Sequence, residues 1–297
     1  MPSTFVDAEI ASQPDVWRRA AALAPTVADA LPRPGERVAV VGCGTSWFVA
    51  MSYAVLREQA GQGLTDAFAG SEFPAGRSYD RVLAISRSGT TTEVVQLLAA
   101  VAGPTTLVTA VADSPAAEQA DAVVAMDFAD ERSVVQTRFA TSALTLLRAA
   151  LAATDPDLLD LDALVADGAA ALEVELDDLL DAQQCTFLGR GWTVGLAHEA
   201  GLKTREAARF WAEAYPAMDY RHGPVAIAEP GRLVWAFGEV PTGLADEVAA
   251  TGARFVTHDL DPQAALVVAQ RFAVAVASAR GLDADNPRSL TRSVILT

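Results

Sequence analysis

Lysine is nearly absent from this 297-residue chain: Lys203 is the only one, and every other side-chain cation of high pKa is arginine. A position that stays lysine amid such a bias is a candidate for a compact amine that a guanidinium cannot replace. Cysteine is scarce as well. Cys43 and Cys185 are too few for a disulfide framework and sit in apolar strand or turn contexts, so reduced thiols are expected. Histidine occurs only at His198, His222 and His258, with no His/Cys cluster at ligand spacing, so no metal and no cofactor are expected. Positive charge is in deficit: 22 basic against 38 acidic residues leave −16, which argues against a nucleic-acid partner. The G-x-S-x-G elbow of serine hydrolases is missing. No uninterrupted apolar run reaches the roughly 18 residues of a membrane helix. The longest, AALVVAQRFAVAVASA, is broken by Arg271, and the first residues carry neither an apolar core nor a cleavage pattern. The expectation is a cytoplasmic protein with no membrane partner.

What is present is a chain that is 51% hydrophobic, with apolar runs alternating with helical patterns. That alternation predicts an α/β fold with parallel sheet and crossover helices. A helix is expected over 10–31, then strands near 38–41, 65–69, 82–86, 105–109 and 122–125. Helices at 46–59, 92–102 and 137–153 complete a five-stranded unit. An acidic helical stretch follows. Beyond it come strands at 186–188, 233–237 and 254–257, with helices at 194–213, 244–251 and 262–280. The expected division is 1–155, a connecting helix at 156–180, and a shorter second domain at 181–297. VVGCGTSWFVA and FLGRGWTVGLA share an apolar-apolar-Gly-x-Gly turn about half the chain apart, which suggests an internal duplication with ligand sites at strand carboxyl ends.

Three stretches carry chemistry. The turn Gly42-Cys43-Gly44 opens like a dinucleotide fingerprint, but Trp47 stands where the third glycine would be. What remains is a glycine turn at a helix start, with Thr45 and Ser46 hydroxyls beside free N–H groups. The second, Ser86-Arg87-Ser88-Gly89-Thr90-Thr91, joins a strand to a helix. Three kinds of donor converge there: hydroxyls, unpaired backbone N–H groups and the positive helix end, a combination suited to phosphate. A Ser/Thr-rich cap would look similar, since Thr90 and Glu93 have capping-box spacing. The third places Glu199, Lys203 and Glu206 on one helix face, followed by His222 in a DYRHGP loop. A surface charge stripe has the same spacing, but a carboxylate and a histidine also form a usual pair for proton transfer near neutral pH.

On these stretches, together with ERSVVQTRFAT and the tail NPRSLTRSV, the chain resembles the sugar isomerase (SIS) family. It is most similar to the isomerase half of glucosamine-6-phosphate synthase and to stand-alone amino-sugar-phosphate deaminases and isomerases. The resemblance implies two tandem SIS domains, each a five-stranded parallel, flavodoxin-like sheet flanked by helices, assembled as a homodimer. It implies a phosphate loop at Ser86, Arg87, Ser88, Gly89 and Thr91, and a sugar wall at Gly44, Thr45 and Ser46. Further substrate contacts fall on Gln136 and Arg292. Glu206 is implied as the proton-transferring base, Lys203 as its companion, and His222 as a ring-opening group reaching the partner's site. Arg292 stands where the synthase has an imine-forming lysine, and a guanidinium stays protonated at neutral pH. Arg87 replaces a glutamine, and no glutaminase segment or its cysteine is seen ahead of the first strand, so glutamine-dependent amination is not expected. The expected activity is aldose–ketose isomerisation of a sugar phosphate, extending to ammonia release from a 2-amino sugar phosphate. The alternative is a phosphosugar sensor without turnover.

Overall fold

The computed structural model describes residues 4–74 and 76–296. In chain order the elements of the first half are α1 (Phe5–Ala11), α2 (Gln13–Leu23), β1 (Val38–Gly42), α3 (Thr45–Gln59) and β2 (Thr65–Ala69). They continue with β3 (Arg81–Ile85), α4 (Thr92–Ala100), β4 (Thr105–Thr109), β5 (Ala122–Ala125) and α5 (Arg138–Ala152). The second half holds α6 (Leu161–Glu173), β6 (Gln184–Gly189), α7 (Thr193–Ala208), β7 (Ala212–Pro216) and β8 (Arg232–Phe237). It closes with α8 (Leu244–Ala250), β9 (Arg254–Val256) and α9 (Pro262–Ala279). The expected α/β class, with parallel sheets flanked by helices, is what the chain adopts.

The chain folds into two compact units that are discontinuous in sequence. One comprises residues 12–132, 136–161 and 291–297, and the other 1–11, 133–135 and 162–290. This differs from the contiguous division expected from composition: α1 and most of the acidic α6 group with the second sheet, and the tail with the first.

The unit holding the phosphate-loop candidate is built on a five-stranded parallel sheet, order β2-β1-β3-β4-β5. Every residue of β1, β3 and β4 is buried, as expected of strands covered on both faces. On one face α4 covers Ala84 and Leu107 with Val94 and Leu98, and α3 packs against α5 within the same unit. Its framework depends on a buried cation. Arg57 of α3 is fully buried and donates to the carbonyls of Arg33 (2.7 Å), Glu36 (3.0 Å), Gln62 (2.7 Å) and Gly63 (3.2 Å), and to Thr65 Oγ1 (2.8 Å). One side chain thus ties the loop before β1 to the turn entering β2.

The other unit carries a four-stranded parallel sheet, order β7-β6-β8-β9, where five strands were expected. Its aromatic core joins Phe187, Trp235, Phe237 and Phe272. The helix expected to run to residue 213 stops at Ala208 because Arg209 turns left-handed (φ 48°). Glycine usually marks such an end, so the sequence held no stop signal. Ala212–Pro216 then forms the edge strand β7, of which only Ala212 and Glu213 fall inside the expected helix. α9 is long and apolar enough to cross a membrane, but most of it is buried here, and Arg271 midway donates to the carbonyls of Ala171 and Val174 (both 2.8 Å).

The single N-terminal helix expected over 10–31 is instead α1, α2 and a 3-10 segment over Ala24–Ala30. Pro14 lies in the first turn of α2, where its missing N–H costs nothing. The start of α1 is capped from a distant segment, with Asp285 accepting from the N–H groups of Phe5 (2.9 Å) and Val6 (2.8 Å).

Replacing Arg57 by methionine is expected to leave several buried acceptors unmatched and to lower unfolding free energy by about 3–5 kcal/mol. Chemical denaturation of the variant checks this; a loss below about 1 kcal/mol would mean the acceptors find water instead.

Candidate active site

β1 and β3 are neighbours in the first sheet, so the turns that leave them open side by side at the strands' carboxyl ends. At the end of β1, Gly42 approaches the first turn of α3 so closely that an added Cβ would lie 2.4 Å from the Ser46 carbonyl carbon. Gly44 is left-handed (φ 55°), and Thr45 and Ser46 follow as buried first-turn residues of α3. The close approach that a third glycine supplies in dinucleotide folds is made here by Gly42. Trp47 is accommodated in that first turn.

At the end of β3 the loop 86–91 is held from below by the neighbouring strand. The Ser86 N–H donates to the Val108 carbonyl (3.0 Å), and the Arg87 carbonyl accepts from the Ala110 N–H (3.0 Å) and Thr109 Oγ1 (3.2 Å). Ser86, Arg87 and Ser88 are buried. Thr91 is the residue that caps α4, without a side-chain cap bond. Thr90 Oγ1 donates to Ser88 Oγ (2.9 Å) and pairs with Ser293 Oγ (2.8 Å), so the Thr90–Glu93 capping box, the alternative reading of this loop, does not form.

The tail lies across this loop. The Thr92 N–H donates to the Val294 carbonyl (3.1 Å), and the Leu296 N–H to Thr92 Oγ1 (2.9 Å). Both arginines expected to meet substrate have protein partners. Arg87 donates to the Arg292 carbonyl (3.0 Å) and is paired with Glu131 (3.8 Å). Arg292 donates to the Asp130 carboxylate and the Glu131 carbonyl.

Glu131, which sequence reasoning did not single out, is the centre of this arrangement. Its buried carboxylate accepts from the N–H groups of Thr137 (2.6 Å), Arg138 (2.8 Å) and Phe139 (3.3 Å) and from Thr137 Oγ1 (2.8 Å). It thus caps α5 from six residues upstream, beyond the spacing of any local capping signature. Gln136 sits just ahead of that cap.

Several buried polar atoms near these carboxyl ends have no hydrogen-bond partner among the described residues: Trp47 Nε1, Glu93 Oε2, Ser114 Oγ and Gln136 Nε2. They stand on the first turns of α3 and α4, on the loop after β4 and ahead of α5. Native interiors leave few such atoms, so each calls for a partner such as water, an ion or a ligand. Of the four, only Gln136 had been expected; an indole or a first-turn glutamate carries no such signal in a sequence.

The remaining candidates belong to the other unit. Within it Gly189 repeats the behaviour of Gly42: an added Cβ would lie 2.2 Å from the Thr193 carbonyl oxygen, and Gly191 is left-handed (φ 58°). α7, which this turn opens, carries Lys203 and Glu206. Lys203 is 1% exposed and donates to Glu206, whose side chain keeps 20% exposure, and it lies 3.7 Å from Glu199, which is 2% exposed. The stripe is therefore not a solvated surface face: an ammonium is held behind a partly accessible carboxylate. His222 ends a short 3-10 turn over Asp219–His222 and is exposed. His198 and His258 are both half-buried, and burial holds their imidazoles below the usual range, with the Arg205 charge adding to this at His198.

Residues 33–153 match the family described as SIS domain. Among curated proteins, the chain is 30% identical over 303 residues to the glutamine–fructose-6-phosphate aminotransferase (isomerizing) of Methanothermobacter thermautotrophicus, covering 87% of this chain and 51% of that protein. The corresponding protein of Sulfurisphaera tokodaii is 29% identical over 294 residues, with 87% and 50% covered. The chain thus spans about half the length of these curated relatives. Among solved structures, a glucosamine-6-phosphate deaminase from Thermotoga maritima superposes with a TM-score of 0.79 at 23% identity, covering 99% of this chain and 100% of that one. The C-terminal domain of the Francisella tularensis glucosamine-fructose-6-phosphate aminotransferase gives 0.81 at 21% identity, covering 96% and 98%. At those identities the likeness is one of fold. The family match thus covers residues 33–153, the stretch that holds β1 to β5 and loop 86–91.

Proposed function

We propose that the protein is a sugar-phosphate isomerase of the aldose–ketose type, acting without a metal or organic cofactor. The observation that carries this reading is the loop 86–91. It joins hydroxyls, backbone N–H groups and a helix N-terminus in the arrangement suited to a phosphate monoester. Ser86, Ser88 and Thr91 take the phosphate, and Gly44, Thr45, Ser46 and Gln136 face the sugar. Arg87 and Arg292 act differently from the substrate contacts first expected of them. Their bonds to Glu131, to Asp130 and to each other hold the loop and tail in register.

In the proposed reaction His222, acting in the site of a second copy of the chain, opens the sugar ring. The Glu206 carboxylate removes the C2 proton of the open aldose. The electron pair moves onto the carbonyl oxygen O1, the O2 proton passes to O1, and the proton returns to C1 as O2 becomes the ketose carbonyl. Lys203, with its charge fixed beside Glu206 and Glu199, orients Glu206 and steadies the developing oxyanion. With a 2-amino sugar phosphate the same proton shift gives the imine, and water then yields the ketose phosphate and ammonia.

We read the second sheet as a shorter, second SIS domain in tandem with the first. Its strand order, β7-β6-β8-β9, matches β2-β1-β3-β4, and the Gly42 and Gly189 turns share their close approach and left-handed glycine.

A second reading, a phosphosugar sensor without turnover, draws on Arg292: the tail supplies no amine for an imine, and its guanidinium is bonded to Asp130 and Glu131. Glu206→Gln separates the two. The variant is expected to keep sugar-phosphate binding and to lose C2 proton exchange by about 10²–10⁴-fold, read by NMR in deuterated water. If the wild-type protein exchanges no C2 proton of any hexose or hexosamine phosphate, the sensor reading replaces the enzyme.

The loop has its own test. Gly89 is left-handed (φ 63°), and an added Cβ would lie 2.0 Å from Ser114 Oγ. Gly89→Ala is expected to cost about 1–3 kcal/mol and to abolish sugar-phosphate binding, with part of the stability restored when Ser114→Gly is added. Thermal denaturation of the single and double variants measures both effects. A single variant as stable as wild type would contradict the loop conformation.

A further inference from the structure

Glu93 is a carboxylate without a cation. It is the second residue of α4, immediately past the phosphate-loop candidate. Its Oε2 is buried and has no hydrogen-bond partner, and no described arginine, lysine or histidine forms an ion pair with it. The local role its spacing suggested is not taken, because Thr90 is bonded to Ser88 and Ser293 instead. Its neighbours place it away from the loop's phosphate-facing hydroxyls. A Cβ added at Gly70 would lie 3.2 Å from Glu93 Cβ and 3.1 Å from Cys43 Sγ, so Glu93 stands at the carboxyl ends of β1 and β2. Burial, with the Glu93 charge adding to it, raises the Cys43 thiol above its usual range, so the two side chains sense each other.

A carboxylate oxygen that is buried without a hydrogen bond is costly, and a carboxylate beside a phosphate cradle also opposes the ligand's charge. Both costs disappear if the ligand carries a cation next to its sugar ring and an anion at its other end. We propose that Glu93 is a specificity-determining residue that receives the ammonium group of a 2-amino sugar phosphate and so separates that substrate class from neutral hexose phosphates. This rests on the reading of loop 86–91 as the phosphate site. It assigns the other end of the same ligand: the phosphate on the α4 N-terminus and the adjoining hydroxyls, the ammonium on the carboxylate one strand over.

The test compares binding of glucosamine 6-phosphate and glucose 6-phosphate by calorimetry to the wild-type chain, Glu93→Gln and Glu93→Asp. The wild type is expected to bind the amino sugar about tenfold or more tightly, as a charge-assisted hydrogen bond would give. In Glu93→Gln the ratio should fall toward one while glucose 6-phosphate affinity stays within about twofold. Glu93→Asp keeps the charge but shortens the reach, and should lose most of the preference; it also serves if the glutamine variant does not fold. An unchanged ratio in the variants, or no preference in the wild type, overturns the assignment and leaves the phosphate-loop reading intact. Failure of the wild type to bind either sugar phosphate overturns both.

Discussion

The close approach of a strand end to the first turn of the following helix is the constraint on which the rest of this structure depends. At Gly42 and again at Gly189 the backbone of the next helix lies where a side chain would be. Only that contact brings α3 and α7 tightly enough onto their sheets for their first turns to stand at the carboxyl ends of β1 and β6. A left-handed glycine two residues later, Gly44 or Gly191, then aims the helix. With β1 between β2 and β3, the crevice at the strand ends follows from topology.

Charge is used unevenly over this frame. In a chain of net charge −16, the arginines of the first unit are largely committed to carbonyls and carboxylates of the protein itself: Arg57 to the β1–β2 connections, Arg87 and Arg292 to Glu131 and Asp130. On the proposed reading, anion binding is thereby left to hydroxyls and backbone N–H groups, which bring no strong field of their own and select by geometry. The single lysine is used in the opposite way. It is buried beside two carboxylates on α7, Glu199 and Glu206.

Much of the fold was legible in advance because fully buried parallel strands read as short apolar runs, and all of β1, β3, β4, β6 and β8 were seen. The elements that were missed share one cause: their ends are set by distant residues. α1 starts where Asp285 caps it, α7 stops at a left-handed arginine, and the edge strand β7 carries Glu213 and Tyr215 where an apolar pattern would be looked for. The candidate site divides the same way. The hydroxyl loop and the Lys203–Glu206 pair announce themselves by spacing. Glu131, Glu93 and Trp47 do not, since their roles depend on which groups they meet or fail to meet once packed.

The sequence by itself determined the α/β class, the two glycine turns, the loop of hydroxyls and the helix face bearing the lone lysine, because each of these is a local pattern whose physics spans a few residues. Tertiary structure alone decided how the charges are used. It turned Arg87 and Arg292 toward Glu131 and Asp130, buried Lys203 behind Glu206, and left Glu93 with no cation among the described residues. Whether a charged group is paired, buried or exposed depends on neighbours tens to hundreds of residues away, and no local pattern carries that information.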